Sequence, residues 1–367
     1  MFDPRLQKLA QIITQYSLDL KPRDVVRIKG STIALPLLYE IYREALHAGA
    51  FVVPRLSDPF FDEILFKEGT AEQLQFVPAL LRQEIEYFTK YLDLYSDTNT
   101  KQFNHVDSDK MAINNSSSEK EQQLFNQYSA EGRIQWCNVL YPTEGYAQDA
   151  GMSLWSFEEF VFSACLVDQP DPVAAWKQVY ADQQKITDFL NNSRHIRIVA
   201  EGTDLSYRCE GRTWINCAGK QNLPDGEVYT APIENSVNGH ITISYPSIYN
   251  GTLVDGIRLT LQDGRIVRAT ADRGEDFLNS MLDMDVGARY IGECAFGLNY
   301  GIRHATGHTL FDEKIGGTMH LAPGWAYPES GGTNESNLHW DLVCDLRNGE
   351  VYADEELCYK KGKFLIS

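Results

Sequence analysis

The hydrophobic pattern of this chain changes period at Asn191-Asn192-Ser193, and that change constrains the fold more than any other feature. Before it, helical stripes alternate with short β-branched runs. Residues 5–18 carry apolar side chains at Leu6, Leu9, Ile12, Ile13 and Tyr16, the spacing of one helix face. Residues 25–29 are a short strand-like run, residues 35–47 return to helical spacing and stop at Gly49, and residues 51–56 are strand-like again. Apolar runs at 111–114 and 134–140 flank a charged helical piece at 119–127. Helices follow at 157–165 and 172–190, the second opening on Asp171-Pro172. The alternation predicts an α/β domain over residues 1–192, a parallel sheet covered by helices.

From His195 the pattern turns to short strands. Asp263-Gly264 and Asn348-Gly349 each have the composition of a two-residue hairpin turn, and Pro224-Asp225-Gly226 is a further turn. One helix is expected at 275–284. Residues 193–367 are therefore predicted to form a mainly antiparallel β (α+β) domain. The length of 367 residues suits two such domains.

Charge narrows the partners. A formal net charge of −18 excludes a nucleic-acid or anionic-membrane surface, which would need a basic face. It favours cations, whether metal ions or peptide amines. The opening residues MFDPRLQKLAQIITQYSLDLKPRD lack the basic stretch and unbroken apolar run of a signal peptide. The seven cysteines form no C-x-x-C pair, which predicts reduced, buried thiols and a cytoplasmic location.

Four segments of the second half combine turn glycines with side chains that could bind metal. Glu227 follows the Pro224-Asp225-Gly226 turn, and Glu293 sits in a small, apolar run with Gly292, Ala295 and Gly297. His320 and Tyr327 belong to a glycine-rich stretch, and His339-Trp340-Asp341 places an imidazole and a carboxylate two residues apart. If that triplet is extended, both point to one face and Trp340 to the other. Nitrogen and oxygen ligands side by side suit a hard or borderline divalent ion. Each residue alone also has an ordinary explanation: solvated strand-end glutamates, hydrogen-bonded core histidines, a packed tyrosine. Spacing leaves the two readings open.

The motifs taken together resemble the aminopeptidase T and aminopeptidase S family of metallopeptidases. The resemblance spans nearly the whole chain, from Leu20-Lys-Pro-Arg-Asp-Val-Val-Arg-Ile-Lys-Gly30 through Ala150-Gly-Met-Ser-Leu154 and Glu159-Phe-Val-Phe-Ser-Ala-Cys165. It continues in Leu-Pro-Asp-Gly-Glu at 223–227, Ile-Gly-Glu at 291–293, Phe-Asp-Glu-Lys-Ile-Gly-Gly-Thr-x-His-Leu-Ala at 311–322 and His-x-Asp-Leu at 339–342. It implies that Glu227, Glu293, His320, His339 and Asp341 are ligands of a two-metal centre and that Tyr327 is the catalytic tyrosine. It implies zinc, cobalt or magnesium as the ions, a homodimer, and removal of N-terminal residues from peptides with a free amino end.

Charge arithmetic is consistent with that set. Three carboxylates and one hydroxide balance two divalent ions. Five side chains leave coordination positions open for water and substrate. Glu293 is the expected bridging ligand, because its small neighbours let two metal-bearing segments approach. The expected reaction is hydrolysis of the first peptide bond by water activated between the ions, with Tyr327 donating to the oxyanion. No general base is assigned, and Glu329 has no stronger claim than a structural role. A metal-dependent amidohydrolase on small amides, or a metal-stabilised scaffold without activity, would use the same core. His304 and His308 have the i, i+4 spacing of helical zinc ligands, but Gly301 and Gly307 argue against a helix, so both are expected in a loop at the site rim.

Overall fold

The computed structural model describes residues 3–366, which form two compact units. The first contains the chain up to Trp176 together with Gly219–Pro224. The second contains Lys177–Ala218 and the chain from Asp225 onward.

The first unit is built on a five-stranded parallel sheet in the order Phe51–Ser57, Val25–Ser31, Lys90–Tyr95, Gln135–Leu140, Asn222–Leu223. The helical stripe near the N-terminus is an α-helix over Pro4–Ile12, capped by Asp3, and continues as a π-helical turn over Ile13–Ser17. Leu35–His47 is a helix with the bounds expected from its periodicity. Residues 111–114 are not a strand. They lie inside a helix, Ser108–Ser117, whose N-terminus is capped by the Asp107 side chain. A four-residue apolar run carries no period of its own, and here the cap decides. The strand in that part of the sheet is Lys90–Tyr95, where Lys90 and Asp93 interrupt the apolar run.

The second unit packs two antiparallel sheets around one core. Eight strands form the larger sheet, from Arg265–Thr270 at one edge to Lys363–Phe364 at the other. Asp263 and Gly264 both have positive φ, the conformation a tight hairpin turn needs, and join Arg258–Gln262 to Arg265–Thr270. Asn348-Gly349 does not close a hairpin. Neither residue has positive φ, and the segment carries the chain from Leu342–Asp345 in the smaller sheet to Glu350–Ala353 in the larger.

The smaller sheet has the order Leu342–Asp345, Thr318–Pro323, Ile291–Gly297, Glu227–Thr230, Ile215–Cys217. Its register sorts side chains by parity. Val228, Cys294, Phe296, Met319, Leu321, Leu342 and Cys344 enter the core. On the opposite face Glu227 pairs with Gly297, and Ala295 lies between Tyr229 and His320. Ala322 is the partner of Glu293, and Val343 that of His320. One face of this sheet is therefore a hydrophobic wall and the other a row of ionisable groups above small residues.

Candidate metal centre

The five residues expected as ligands converge on that polar face. His320 Nε2 lies 3.1 Å from Glu293 Oε1, 3.6 Å from Glu227 Oε2 and 3.8 Å from Asp341 Oδ1. His339 Nε2 lies 3.5 Å from Glu293 Oε2 and 3.6 Å from Asp341 Oδ1. Two sets of three emerge, Glu227–Glu293–His320 and Glu293–His339–Asp341, each with its ligand atoms within 4.8 Å of one another. Glu293 belongs to both.

Main-chain carbonyls aim both imidazoles. His320 Nδ1 donates to Glu313 O at 3.0 Å, and His339 Nδ1 donates to Trp325 O at 2.9 Å. A carbonyl only accepts, so the proton sits on Nδ1 and the Nε2 lone pair faces the carboxylates when the ring is neutral. The Trp325 carbonyl is reached over Gly292, where a Cβ would stand 2.1 Å from that oxygen. His339 is a bridge residue opposite Gly324, and Asp341 directly precedes the strand Leu342–Asp345. The triplet nevertheless splits as extended chain does: Trp340 is buried, stacks on Tyr249 with centroids 4.9 Å apart, and donates to Ser247.

Lys314 and Glu313 join the cluster, and residue spacing alone did not single them out. Lys314 is fully buried; its Nζ lies 3.2 Å from Glu227 Oε1, 3.9 Å from Asp225 Oδ1, and donates to Glu313. Although burial opposes its charge, Glu227, Glu313 and Asp225 hold it protonated well above the ordinary lysine range. Burial pushes the Glu227 and Glu313 carboxyls up to about 7, and Lys314 holds them down in part. Burial would lower both histidines, but the Glu293 and Asp341 carboxylates outweigh it and push each up to about 10. Glu227 Oε2 is buried without a hydrogen-bond partner. Buried carboxylates in excess of cations, with one oxygen orphaned, are the donor set of a divalent-ion site, and the residues fit one.

Tyr327 stands at the rim. Its ring meets His339 edge-on at 5.1 Å, Trp325 at 4.7 Å and Tyr229 at 5.4 Å. Its hydroxyl makes no hydrogen bond to any described residue, and burial together with the nearby carboxylates raises its pKa. Glu329, in the turn after Tyr327, accepts from the Tyr229 hydroxyl at 3.2 Å. His304 lies in a loop, and His308 caps the short helix Thr309–Asp312, its Nδ1 accepting from Leu310 N. Neither belongs to a metal-binding set among the described residues.

The sequence pattern of the family described as thermophilic metalloprotease (M29) matches residues 2–364. The chain belongs to the M29 metalloprotease family. Aminopeptidase 2 of Geobacillus stearothermophilus is 28% identical over 99% of this chain and 98% of its own. Aminopeptidase T of Thermus aquaticus is 34% identical over 59% of this chain and 58% of its own. The solved structure of wild-type AmpT from Thermus thermophilus superposes with a TM-score of 0.87 and 24% identity, covering both chains completely, and so shares the fold. As a member of the M29 family the protein is a hydrolase that depends on divalent metal. No helix among the described residues is long and apolar enough to cross a membrane.

Proposed function

We propose that this M29 protein is a two-metal aminopeptidase that removes the N-terminal residue of peptides with a free amino end. The observation that carries the reading is the pair of three-residue sets sharing Glu293. Glu227, Glu293 and His320 would hold one ion, and Glu293, His339 and Asp341 the other. Bound ions supply Lewis acidity, polarising a peptide carbonyl and making water a stronger acid. This nitrogen and oxygen set suits zinc and cobalt through both atom types, and magnesium through its carboxylates.

The remaining roles belong to the chain itself. The two carbonyl acceptors hold the histidine rings in one tautomer. Burial and the nearby carboxylates favour the protonated form of Tyr327 in the metal-free protein, and its unpartnered hydroxyl would be a donor for the oxyanion that develops on the carbonyl. A carboxylate beside the centre would favour the cationic amino end of a peptide over a blocked one. The names of the relatives, aminopeptidases throughout, support the substrate class. The seven cysteines form no disulfide among the described residues, which suits the reducing cytoplasm, and the family resemblance supports a homodimer.

The test is hydrolysis of a peptide mixture, half with acetylated N-termini, by chelator-treated protein with and without added zinc, cobalt or magnesium. Sequential release of single N-terminal residues from free peptides, only with metal, is expected. Cleavage of blocked peptides, or full activity in protein shown to be metal-free, would overturn the reading.

A further inference from the structure

Lys314 is not one of the expected ligands, yet it is buried against one of them, Glu227. It is a cation with no exposed surface in a unit whose polar face is otherwise carboxylates and histidines. Its main chain is pinned: the Lys314 carbonyl accepts from Asn299 N at 3.0 Å, and the Asn299 side chain donates to Asp225 O at 2.7 Å. The preceding carbonyl, that of Glu313, accepts from His320 Nδ1. The dipeptide Glu313-Lys314 thus touches two members of one three-residue set, His320 and Glu227.

The two oxygens of Glu227 are treated differently. Oε1 accepts from Lys314 Nζ at 3.2 Å. Oε2 is buried, has no hydrogen-bond partner, and lies 3.6 Å from His320 Nε2. A carboxylate with both oxygens free can rotate, or swing away from its like-charged neighbours. With Oε1 tied down, only one oxygen remains to be offered.

We propose that Lys314 is a positioning residue: its ammonium holds Glu227 Oε1 so that Glu227 presents Oε2 alone to an ion bound with Glu293 and His320. The inference rests on the two-metal reading. Two effects of removing Lys314 compete. Loss of a positive charge would favour a cation nearby. Against that, Asp225, Glu227 and Glu313 all converge on Nζ, and without it three buried carboxylates must separate. Glu227 is the one that borders the centre, so it moves away from it. Misplacing the ligand outweighs the charge term, since partners that orient metal ligands are typically worth about 10- to 100-fold in affinity.

The experiment is calorimetric titration of chelator-treated protein with zinc, comparing wild type, Lys314→Met, Glu227→Gln and the double variant, with melting temperatures of the metal-free forms. Wild type should bind two ions. In Lys314→Met the step belonging to the Glu227 set should weaken by at least about tenfold. The other step should weaken clearly less, because Lys314 has no hydrogen bond or ion pair with His339 or Asp341 and the two sets meet only through Glu293 and His320. In the Glu227→Gln background Lys314→Met should have little further effect. If Lys314→Met does not fold without metal, Lys314→Met with Asp225→Asn removes one of the stranded carboxylates, and the same split is expected. Unchanged or tighter binding, equal weakening of both steps, or effects that add with Glu227→Gln would overturn the positioning role. A wild type that binds no zinc would instead overturn the two-metal reading.

Discussion

Glu293→Gln perturbs the one side chain common to both ligand sets. Its Oε1 faces His320 Nε2 at 3.1 Å and its Oε2 faces His339 Nε2 at 3.5 Å. Glutamine keeps one oxygen, replaces the other with an NH2 that has no lone pair for a metal, and removes the negative charge that both ions would share. Both binding steps should weaken, and turnover should cease. The magnitude follows from linkage. An ion present at 100 times its Kd stabilises the native state by about 2.7 kcal/mol. For a folded unit of this size each kcal/mol moves the melting temperature by about 2–4 °C. Saturating zinc should therefore raise the melting temperature of metal-free wild type by at least about 5 °C for one ion, and more for two. In Glu293→Gln the increment should fall below half of the wild-type value. The assay is scanning calorimetry with and without zinc, paired with elemental analysis of the dialysed protein. A full increment with two retained ions would refute the shared-ligand argument.

Tyr327→Phe should lower kcat by about 100-fold or more with KM, metal content and melting temperature little changed, because in the proposed reaction the hydroxyl would serve only the transition state; steady-state kinetics and calorimetry on one preparation decide this. Gly292→Ala should weaken the ion of the His339 set more than the other, since the new methyl would displace the Trp325 carbonyl that aims His339, and zinc titration should show the two steps altered unequally. His308→Ala should leave metal stoichiometry unchanged, as His308 lies outside both sets. In the metal-free protein, groups raised to about 7 (Glu227 and Glu313) are ionised at pH 8, while His320 and His339, raised to about 10, still carry protons. Loading with zinc at pH 8 should then release about two protons, and apparent affinity should rise with pH up to about 10. Titration in buffers of different ionisation enthalpy measures the release, and binding without proton release would contradict the assignment.

Legibility in the sequence followed the range of the interaction. Glu293 stood out because Gly292, Ala295 and Gly297 left room around it, and the structure puts those small residues on its strand, with Ala295 between Tyr229 and His320. His339 and Asp341 were visible because two-residue spacing survives in extended chain, even where His339 is only an isolated bridge. Lys314 and Glu313 were not visible. A charged pair after a short helix reads as solvated, and its burial comes from the Glu227 strand and Asn299, which are distant in sequence. Asn348-Gly349 has the composition of a hairpin turn, but which sheet receives the next strand is decided by the packing of both sheets on one core. The Lys90–Tyr95 strand hid behind Lys90 and Asp93, and Asp93 pairs with Arg27 on the neighbouring strand.

Anomalous diffraction at the zinc edge, from crystals of protein loaded with zinc, tests the central claim most directly. Two peaks are expected, about 4 Å apart as in two-metal hydrolytic sites. One should contact Glu227, Glu293 and His320, the other Glu293, His339 and Asp341, with Glu293 between them. A single peak, or peaks at His304 and His308 with the Glu293 cluster empty, would contradict the account.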